Sequence, residues 1–519
     1  MNSFPCPFLR CQIGLRKTGK VMSSMQRSHQ IDSGMHVRHN NYGKIRAFAE
    51  VLFLFIADVL AVYVCFKLAI FIRLEILPLL YAGFPEGRLA SGFKHVWWLF
   101  AVWLFFFYYE GLYTKRFSFW DEINALWKVA FFSTVGVLTI VSLGKLSALI
   151  SRLAVILMGL LSLVVIPMLR LSIKRHLFKY GQFRRRVLVL GAGETGKMFV
   201  RALMKEPNYG YDIMGFLDDD PEKAGMKIMG LKVHRGVDSA ASYLRKGRIT
   251  DVIIAMPGAG KERLQHLINT LQHKVERLLF VPDMYGIAVL GTSLQHFFHE
   301  QAFALELKNN LARPVNMLLK RCFDLVVSLL LLPFVLVSII IIGMLIKLDS
   351  PGPIIFSQER LGRGLGKSFR CMKFRTMYED AEERLKAILG TDRASMQEWG
   401  EHYKLRDDPR VTRVGKFLRT TSLDELPQLF HVLSGKMSLV GPRPVTRQEI
   451  NDYYKEAAEL CFSVPPGISG LWQVTGRSGT TYEYRIGLDS WYVRNWNVWL
   501  DIVILFKTVK VVIMREGAY

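Results

Sequence analysis

Cysteine is scarce and scattered: Cys6, Cys11, Cys65, Cys322, Cys371 and Cys461 form no Cys-x-x-Cys pair and no metal-binding spacing. That excludes a disulfide framework and a structural zinc site, and it fits a reduced, cytoplasm-facing protein. Acidic residues are also few, 44 against 68 lysines and arginines, so the chain carries a formal charge of +24. A surplus of that size implies acidic partners: nucleic acid, anionic lipid or phosphorylated substrates. The hydrophobic content of 51% favours the membrane, and no nucleic-acid partner is expected. Residues 1–46 lack the apolar core of a signal peptide and hold a single acid, Asp32, so this basic tail is expected to stay in the cytoplasm. Repeats and low-complexity tracts are absent as well.

Four apolar runs follow, at 47–72, 95–109, 129–143 and 153–169. Read as membrane helices, they return the chain to its starting side. The loops agree: the tail, Lys115-Arg116 and the cluster of Arg170, Lys174, Arg175, Lys179 and Arg184 to Arg186 are basic, while the loop near Lys145 is short and weakly charged. Asp58 and Lys67 inside the first run are read as pairing between helices or reaching for the interface, rather than as a transport path.

The apolar run 187–190 leads into Gly191-Ala-Gly193-Glu-Thr-Gly196 and a helical pattern, then a second strand ending in Asp218. This is the dinucleotide-binding fingerprint in its proper context, and it predicts a Rossmann-like domain. Gly191, Gly193, Gly196 and Asp218 are the candidate nucleotide-binding residues. A purely structural or regulatory use of the same fold is the alternative reading. The Tyr-x-x-x-Lys pair of a nucleotide-sugar dehydratase is missing from the soluble part, which speaks against redox chemistry here.

The run 325–345 is apolar enough to span a membrane. Its flanks argue otherwise: Lys320 and Arg321 precede it, and Lys347, Arg360 and Arg363 follow, so both ends carry the cytoplasmic signature. Pro333 near its middle removes a helical hydrogen bond, and a re-entrant hairpin is inferred. The C-terminal stretch 491–514 places tryptophans among aliphatic residues interrupted by Asp501, Lys507 and Lys510, a pattern suited to interfacial helices, with ordinary domain core as the alternative.

The chemistry is expected in 420–444. Asp424 and Glu425 stand at a predicted helix start that Pro427 helps to locate, where free N–H groups stabilise a carboxylate or a phosphate. Ser422-x-x-Glu425 also fits a capping box, which is the structural alternative. Lys373, Arg375, Arg419 and the proline-flanked Arg443 are cations suited to clamping a diphosphate.

The string Lys320-Arg-Cys-Phe-Asp324 and the segments SPGPIIFSQERLGRGLGKSFRCMKFRTM, RTTSLDELPQLFHVLSGKMSLVGPRP, PPGISGLWQVTGR and LDSWYVRNW resemble the monotopic phosphoglycosyl transferases, a family of bacterial sugar transferases. The preceding bundle and Rossmann-like insert resemble the family's long form. The C-terminal segment is most similar to the undecaprenyl-phosphate galactose phosphotransferases, with glucose-specific relatives close by.

The resemblance implies that Asp424 attacks the sugar-bearing phosphorus of a UDP-sugar, expels UMP and forms an aspartyl phosphosugar that undecaprenyl phosphate then takes up. It implies that Glu425 helps to hold Mg²⁺. Lys373, Arg375, Arg419 and Arg443 correspond to phosphate-contacting or site-ordering cations. Asp489 is a further acid near the site, and Gln473 and Arg477 lie near nucleotide or phosphate. Lys320, Arg321, Asp324 and Pro333 belong to the re-entrant helix and its interface. Some relatives carry Ser-Pro at the helix break where this chain has Leu332-Pro333, which leaves hydroxyl-assisted capping in question.

The expected protein is an α plus α/β membrane protein of the bacterial inner membrane. It has a basic tail (1–46), a four-helix transmembrane bundle (47–170), a Rossmann-like domain (185–290) and a cytoplasm-facing α/β catalytic domain (316–519) with a re-entrant helix at about 320–347. It would initiate a surface polysaccharide such as O-antigen, capsule or exopolysaccharide, and the resemblance is compatible with a homodimer. The competing readings are a nucleotide-sensing membrane regulator and a membrane-bound nucleotide-sugar oxidoreductase.

Overall fold

A computed structural model describes residues 48–80, 97–146, 150–181, 183–282, 293–297, 302–306, 310–311, 313–391, 396, 408–475 and 481–514. The basic tail lies outside them. The chain folds as two compact units that divide after residue 283.

The first unit opens with four helices, α1 (Phe48–Leu80), α2 (Trp97–Tyr109), α3 (Phe119–Leu143) and α4 (Arg152–Lys179). Three of them are long and apolar enough to cross a membrane, whereas α2 has 13 residues. Helix α3 starts ten residues before its apolar run, because the Ser118 hydroxyl caps it by accepting the Asp121 amide and Asp121 and Glu122 sit in its positive first turn. A hydropathy count misses such a turn because it is polar.

Helix α4 also runs past its apolar stretch, and this relocates two charges expected in a basic loop. Arg170 and Lys174 are buried on the helix. The Arg170 guanidinium donates to Asp58, to Glu122 at 2.8 Å and to the Leu112 carbonyl, while Lys174 reaches Glu122 at 2.6 Å. Asp58 therefore pairs between helices, as its isolation in an apolar run suggests. Replacing Arg170 by methionine leaves two buried carboxylates facing one cation, a loss of about 3–5 kcal/mol. The apparent melting temperature in detergent is expected to fall sharply, and a Tm near that of the wild type would contradict the pairing.

An α/β sheet completes this unit. Its strand order is β3 (Lys227–Ile228), β4 (Leu231–Arg235), β2 (Tyr211–Asp218), β1 (Arg185–Leu190), β5 (Asp251–Ile254) and β6 (Arg277–Phe280). All pairings are parallel except β3 with β4. Alternation sorts the side chains of β1: Val187 and Val189 pack with Val200 of α5 (Glu194–Lys205), and Leu188 and Leu190 with Leu244 of α6 (Ala240–Gly247) and Leu267 of α7 (Lys261–Leu271). Buried on both faces, the central strands read as unbroken hydrophobic runs. The sheet is tied to the bundle by Asn208, which donates to Glu122 and to the Phe117 carbonyl, and by Arg116, which donates to Glu50 and to the Tyr209 carbonyl.

The second unit begins with a hairpin, β7 (Ser293–Phe297) and β8 (Ala302–Glu306), and is dominated by α8 (Pro314–Asp349). Helix α8 has 36 residues and runs through Pro333 without a break in its helical assignment. Lys320, Asp324, Ser328, Val335, Ile342 and Ile346 form its buried stripe, while Leu330, Phe334, Ile340 and Leu348 are among the exposed residues on the remaining surface.

Both ends of α8 are held by the same unit. Near its start, Lys320 bonds Asp501 at 2.8 Å, and Asp324 accepts the Ser438 hydroxyl and the Leu439 amide. At its end, Asp349 accepts the Val414 amide, and Ile342 and Ile346 pack on Phe374 and Leu418. The antiparallel pair β9 (Ile355–Leu361) and β10 (Ser368–Phe374) follows, then α9 (Ala381–Thr391) and α10 (Arg413–Thr421). A short helix, α11 (Leu429–Leu433), packs Leu429 and Val432 into the core.

Candidate active site

Asp424 and Glu425 sit in a six-residue 3₁₀ turn, Leu423–Gln428, that runs straight into α11. The expected start is displaced by one residue, and the winding is tight. Ser422 precedes the turn with φ of 56° and makes no capping bond, so the capping box does not form. The Glu425 carboxylate turns instead to Lys373 on β10, 2.6 Å from its Nζ. The same ammonium stands 3.9 Å from Asp424.

Burial pushes the Asp424 carboxyl up to about 6, and the neighbouring Glu425 adds to this, while Lys373 and Arg419 pull the other way. A carboxylate that has lost much of its water yet keeps two cations in range is ionised near neutral pH and little solvated, which suits a nucleophile. Arg419 is fixed by donating from Nε to the Thr376 hydroxyl at 2.9 Å.

Two further side chains support this arrangement: His431, which no motif singled out, and Arg321, expected on the re-entrant helix. His431 on α11 accepts the Met372 amide through Nε2 at 3.1 Å and so holds β10, and with it Lys373, against the turn. Arg321 donates to the carbonyls of Val432 and Leu433 at 2.5 and 2.8 Å, capping the C-terminus of α11. The "LFHVL" string carries no signal for the first beyond a histidine among apolar residues.

Arg375 is placed elsewhere. It is buried, and its guanidinium donates to the Pro351 carbonyl and to the carbonyl and hydroxyl of Ser350, so it closes the end of α8.

The tetrad around Arg443 follows β11 (Ser438–Val440), which pairs in parallel with β12 (Gly467–Ser469). Gly467 lies so close to Gly441 that a Cβ there would strike the Gly441 backbone. Beneath the tetrad lies Asp489, 1% exposed, on α14 (Tyr482–Asn495), with α12 (Ala457–Cys461) and α13 (Leu471–Thr475) nearby in sequence. Asp489 accepts the Tyr454 hydroxyl at 3.1 Å and the Arg443 amide. Asp489 thus orients the loop that carries Arg443. The Arg443 side chain is exposed and lies over the Trp472 ring, 5.4 Å from its centre.

Burial raises the pKa of the Cys371 thiol, on which Lys373, Glu425, Arg360 and Arg443 also act electrostatically. Gln473 donates to the Ile468 carbonyl, and its Oε1 is buried without a partner among the described residues. Arg477 lies outside the described residues.

Burial also pushes the Asp489 carboxyl up to about 7, opposed by Tyr454, by the Arg443 amide and by the charges of Arg443 and Arg485. Its folded-state pKa is above the unfolded one, so the folded state loses stability as pH rises from about 4 to about 7. Asp489→Asn, which keeps an acceptor, is expected to melt several degrees above wild type at pH 8, with more than half of that gap gone at pH 5. A gap that does not change with pH would contradict this.

In the first unit, Gly191 turns the chain with φ of 99°, and Gly196 packs directly on the Gly191 carbonyl. No heavy atom lies where a Cβ on Gly193 would contact it. The Asp218 carboxylate accepts the Ala192 amide at 2.7 Å and the Asp220 amide at 2.9 Å, so it braces the glycine loop. Asp218, a candidate for nucleotide binding, is thus engaged with backbone.

Residues 315–515 match the family model described as bacterial sugar transferase, and residues 104–282 match one described as CoA-binding domain. The chain is 36% identical over 408 residues to the UDP-galactose-lipid carrier transferase of Erwinia amylovora, covering 78% of this chain and 84% of that one. It belongs to the bacterial sugar transferase family. The undecaprenyl-phosphate galactose phosphotransferase of Salmonella typhimurium is also 36% identical, over the same shares of the two chains. The UDP-glucose:undecaprenyl-phosphate glucose-1-phosphate transferase of Escherichia coli is 33% identical, with 66% of this chain and 70% of that one covered. This transferase is accordingly a membrane enzyme, with four helices among the described residues long and apolar enough to span. The regulator and oxidoreductase readings fall with the family assignment.

Proposed function

We propose that this transferase moves hexose 1-phosphate, with galactose favoured, from a UDP-sugar to undecaprenyl phosphate and releases UMP. The observation that carries the reading is Asp424, a largely buried carboxylate with pKa about 6, held beside Glu425 and 3.9 Å from Lys373. In the first step Asp424 attacks the sugar-bearing phosphorus, the bond to the UMP oxygen breaks, and UMP leaves. In the second the acceptor phosphate attacks the same phosphorus, the aspartyl bond breaks, and the carboxylate is regenerated. One site serves both anionic substrates in turn.

Lys373, Arg419 and Arg443 supply positive charge for the diphosphate. Among the described residues no group of three or more His, Cys, Asp or Glu side chains gathers at metal-binding distance. This donor set fits Mg²⁺, which is commonly held by one or two carboxylates together with substrate phosphates and water. Glu425 would hold it, and the ion would offset the repulsion between carboxylate and diphosphate.

The membrane placement is part of the proposal. Helix α8 enters and leaves by the cytoplasmic leaflet of the inner membrane, a reading supported by the engagement of both its ends with one α/β body. The glycine loop serves as scaffold or nucleotide sensor, and the enzyme works as a homodimer. The product would initiate a surface polysaccharide.

The test is UMP release by purified protein in nanodiscs with undecaprenyl phosphate and Mg²⁺, from UDP-galactose and separately UDP-glucose. Release with labelled lipid from UDP-galactose supports the proposal as stated, and release from UDP-glucose alone changes the sugar. No release from any UDP-sugar by folded protein would overturn it.

A further inference from the structure

Trp472 on α13 carries two guanidinium groups. Arg443 lies 5.4 Å from its ring centre, and Arg485, on α14, lies 4.8 Å away. Arg485 is also 5.0 Å from the Tyr482 ring, which stacks on Tyr453 at 3.9 Å with an 8° tilt. The Trp472 ring is 6% exposed, so it is a buried support, whereas Arg443 is exposed and Arg485 partly so.

Two like charges on one ring repel each other. Each cation–π contact returns only about 0.5–2 kcal/mol. Asp489 eases the repulsion from below, where its carboxylate accepts the Tyr454 hydroxyl and the Arg443 backbone amide. An arrangement of two planar guanidiniums fixed by aromatic faces has the chemistry of a preformed oxyanion clamp.

We propose that Arg485, held on Trp472 beside Arg443, is a further substrate-binding residue that takes a phosphate oxyanion during the transfer. This rests on the proposed reaction for its biological ligand. The oxyanion belongs either to the diphosphate of the UDP-sugar or to the phosphate of the lipid acceptor.

Three variants test it. Arg485→Ala removes the group, Arg485→Met keeps the apolar stem on Trp472 without the charge, and Arg485→Lys restores the charge without the planar fork. KM and kcat are measured for UDP-galactose and for undecaprenyl phosphate. Thermal stabilisation by inorganic pyrophosphate, which requires no turnover, is measured in parallel.

The expected result for Arg485→Ala and Arg485→Met is a KM raised roughly tenfold for one substrate, with kcat changed much less and partial recovery in Arg485→Lys. A raised donor KM assigns the clamp to the diphosphate, and a raised acceptor KM assigns it to the lipid phosphate. Wild type should be stabilised by pyrophosphate, and Arg485→Met distinctly less at the same concentration. Unchanged KM values for both substrates, or equal pyrophosphate shifts in wild type and Arg485→Met, overturn the proposal. If wild type turns over no UDP-sugar, the reaction assignment fails, and the pyrophosphate comparison still decides the clamp.

Discussion

Asp424→Asn is expected to reduce UMP release and lipid product by on the order of 10³-fold or more while leaving the fold in place. Asparagine has nearly the same shape, so packing around the 3₁₀ turn is preserved, but its amide cannot form the bond to phosphorus. The variant should also keep its affinity for a UDP-sugar, because Lys373, Arg419 and Arg443 are untouched. Removing a buried carboxylate whose pKa burial has raised to about 6 should leave the folded protein no less stable at neutral pH. Loss of activity with unchanged or higher Tm separates a chemical role from a structural one. Activity within tenfold of the wild type would remove Asp424 from the reaction.

Asp501→Ala is expected to cost about 3–5 kcal/mol of stability, because it strands a buried partner. Lys320 is 2% exposed and Asp501 fully buried, and they meet at 2.8 Å across 181 residues of sequence. Asp501 also accepts the Tyr492 hydroxyl at 2.6 Å and the Trp496 indole N–H at 3.0 Å, so its loss leaves the Tyr492 hydroxyl with the Val440 carbonyl at 3.1 Å and Lys320 with Asp324 at 4.0 Å. These contacts join the start of α8 to α14 and to α15 (Val498–Met514). The check is the apparent melting temperature in detergent together with the yield of folded protein. Lys320→Met in the Asp501→Ala background should recover part of the loss by removing a buried charge left with Asp324 alone, 4.0 Å away. A single variant within about 1 kcal/mol of the wild type would show that the network carries little stability.

The legible and illegible parts of this protein divide by how local the information is. Asp424, Glu425 and Pro427 share one six-residue turn, so their juxtaposition could be read directly. The glycine loop was equally plain, because its turn and close packing depend on adjacent residues.

Charges were harder to place. Arg170 and Lys174 look like a basic loop and Asp501 like a polar interruption in a surface helix, yet each is buried against a partner far away in sequence. Charge counts assume solvent, and nothing local announces a distant carboxylate. Arg375 illustrates the same limit: its motif suggests phosphate, but its guanidinium closes the end of α8. The C-terminal reading was half right. Trp496, Val503 and Ile504 are core, while Phe506, Val509 and Ile513 remain exposed on α15, as an interfacial helix requires.

The central claim is that Asp424 becomes covalently bonded to the phosphosugar. The most direct test incubates purified protein with UDP-galactose and Mg²⁺ without acceptor, quenches it, and examines the peptide containing Asp424 by mass spectrometry. The account predicts a hexose-phosphate adduct on Asp424, accompanied by UMP and lost on addition of undecaprenyl phosphate. UMP release that requires the lipid acceptor, with no adduct at any time, would contradict it and point to a single direct displacement.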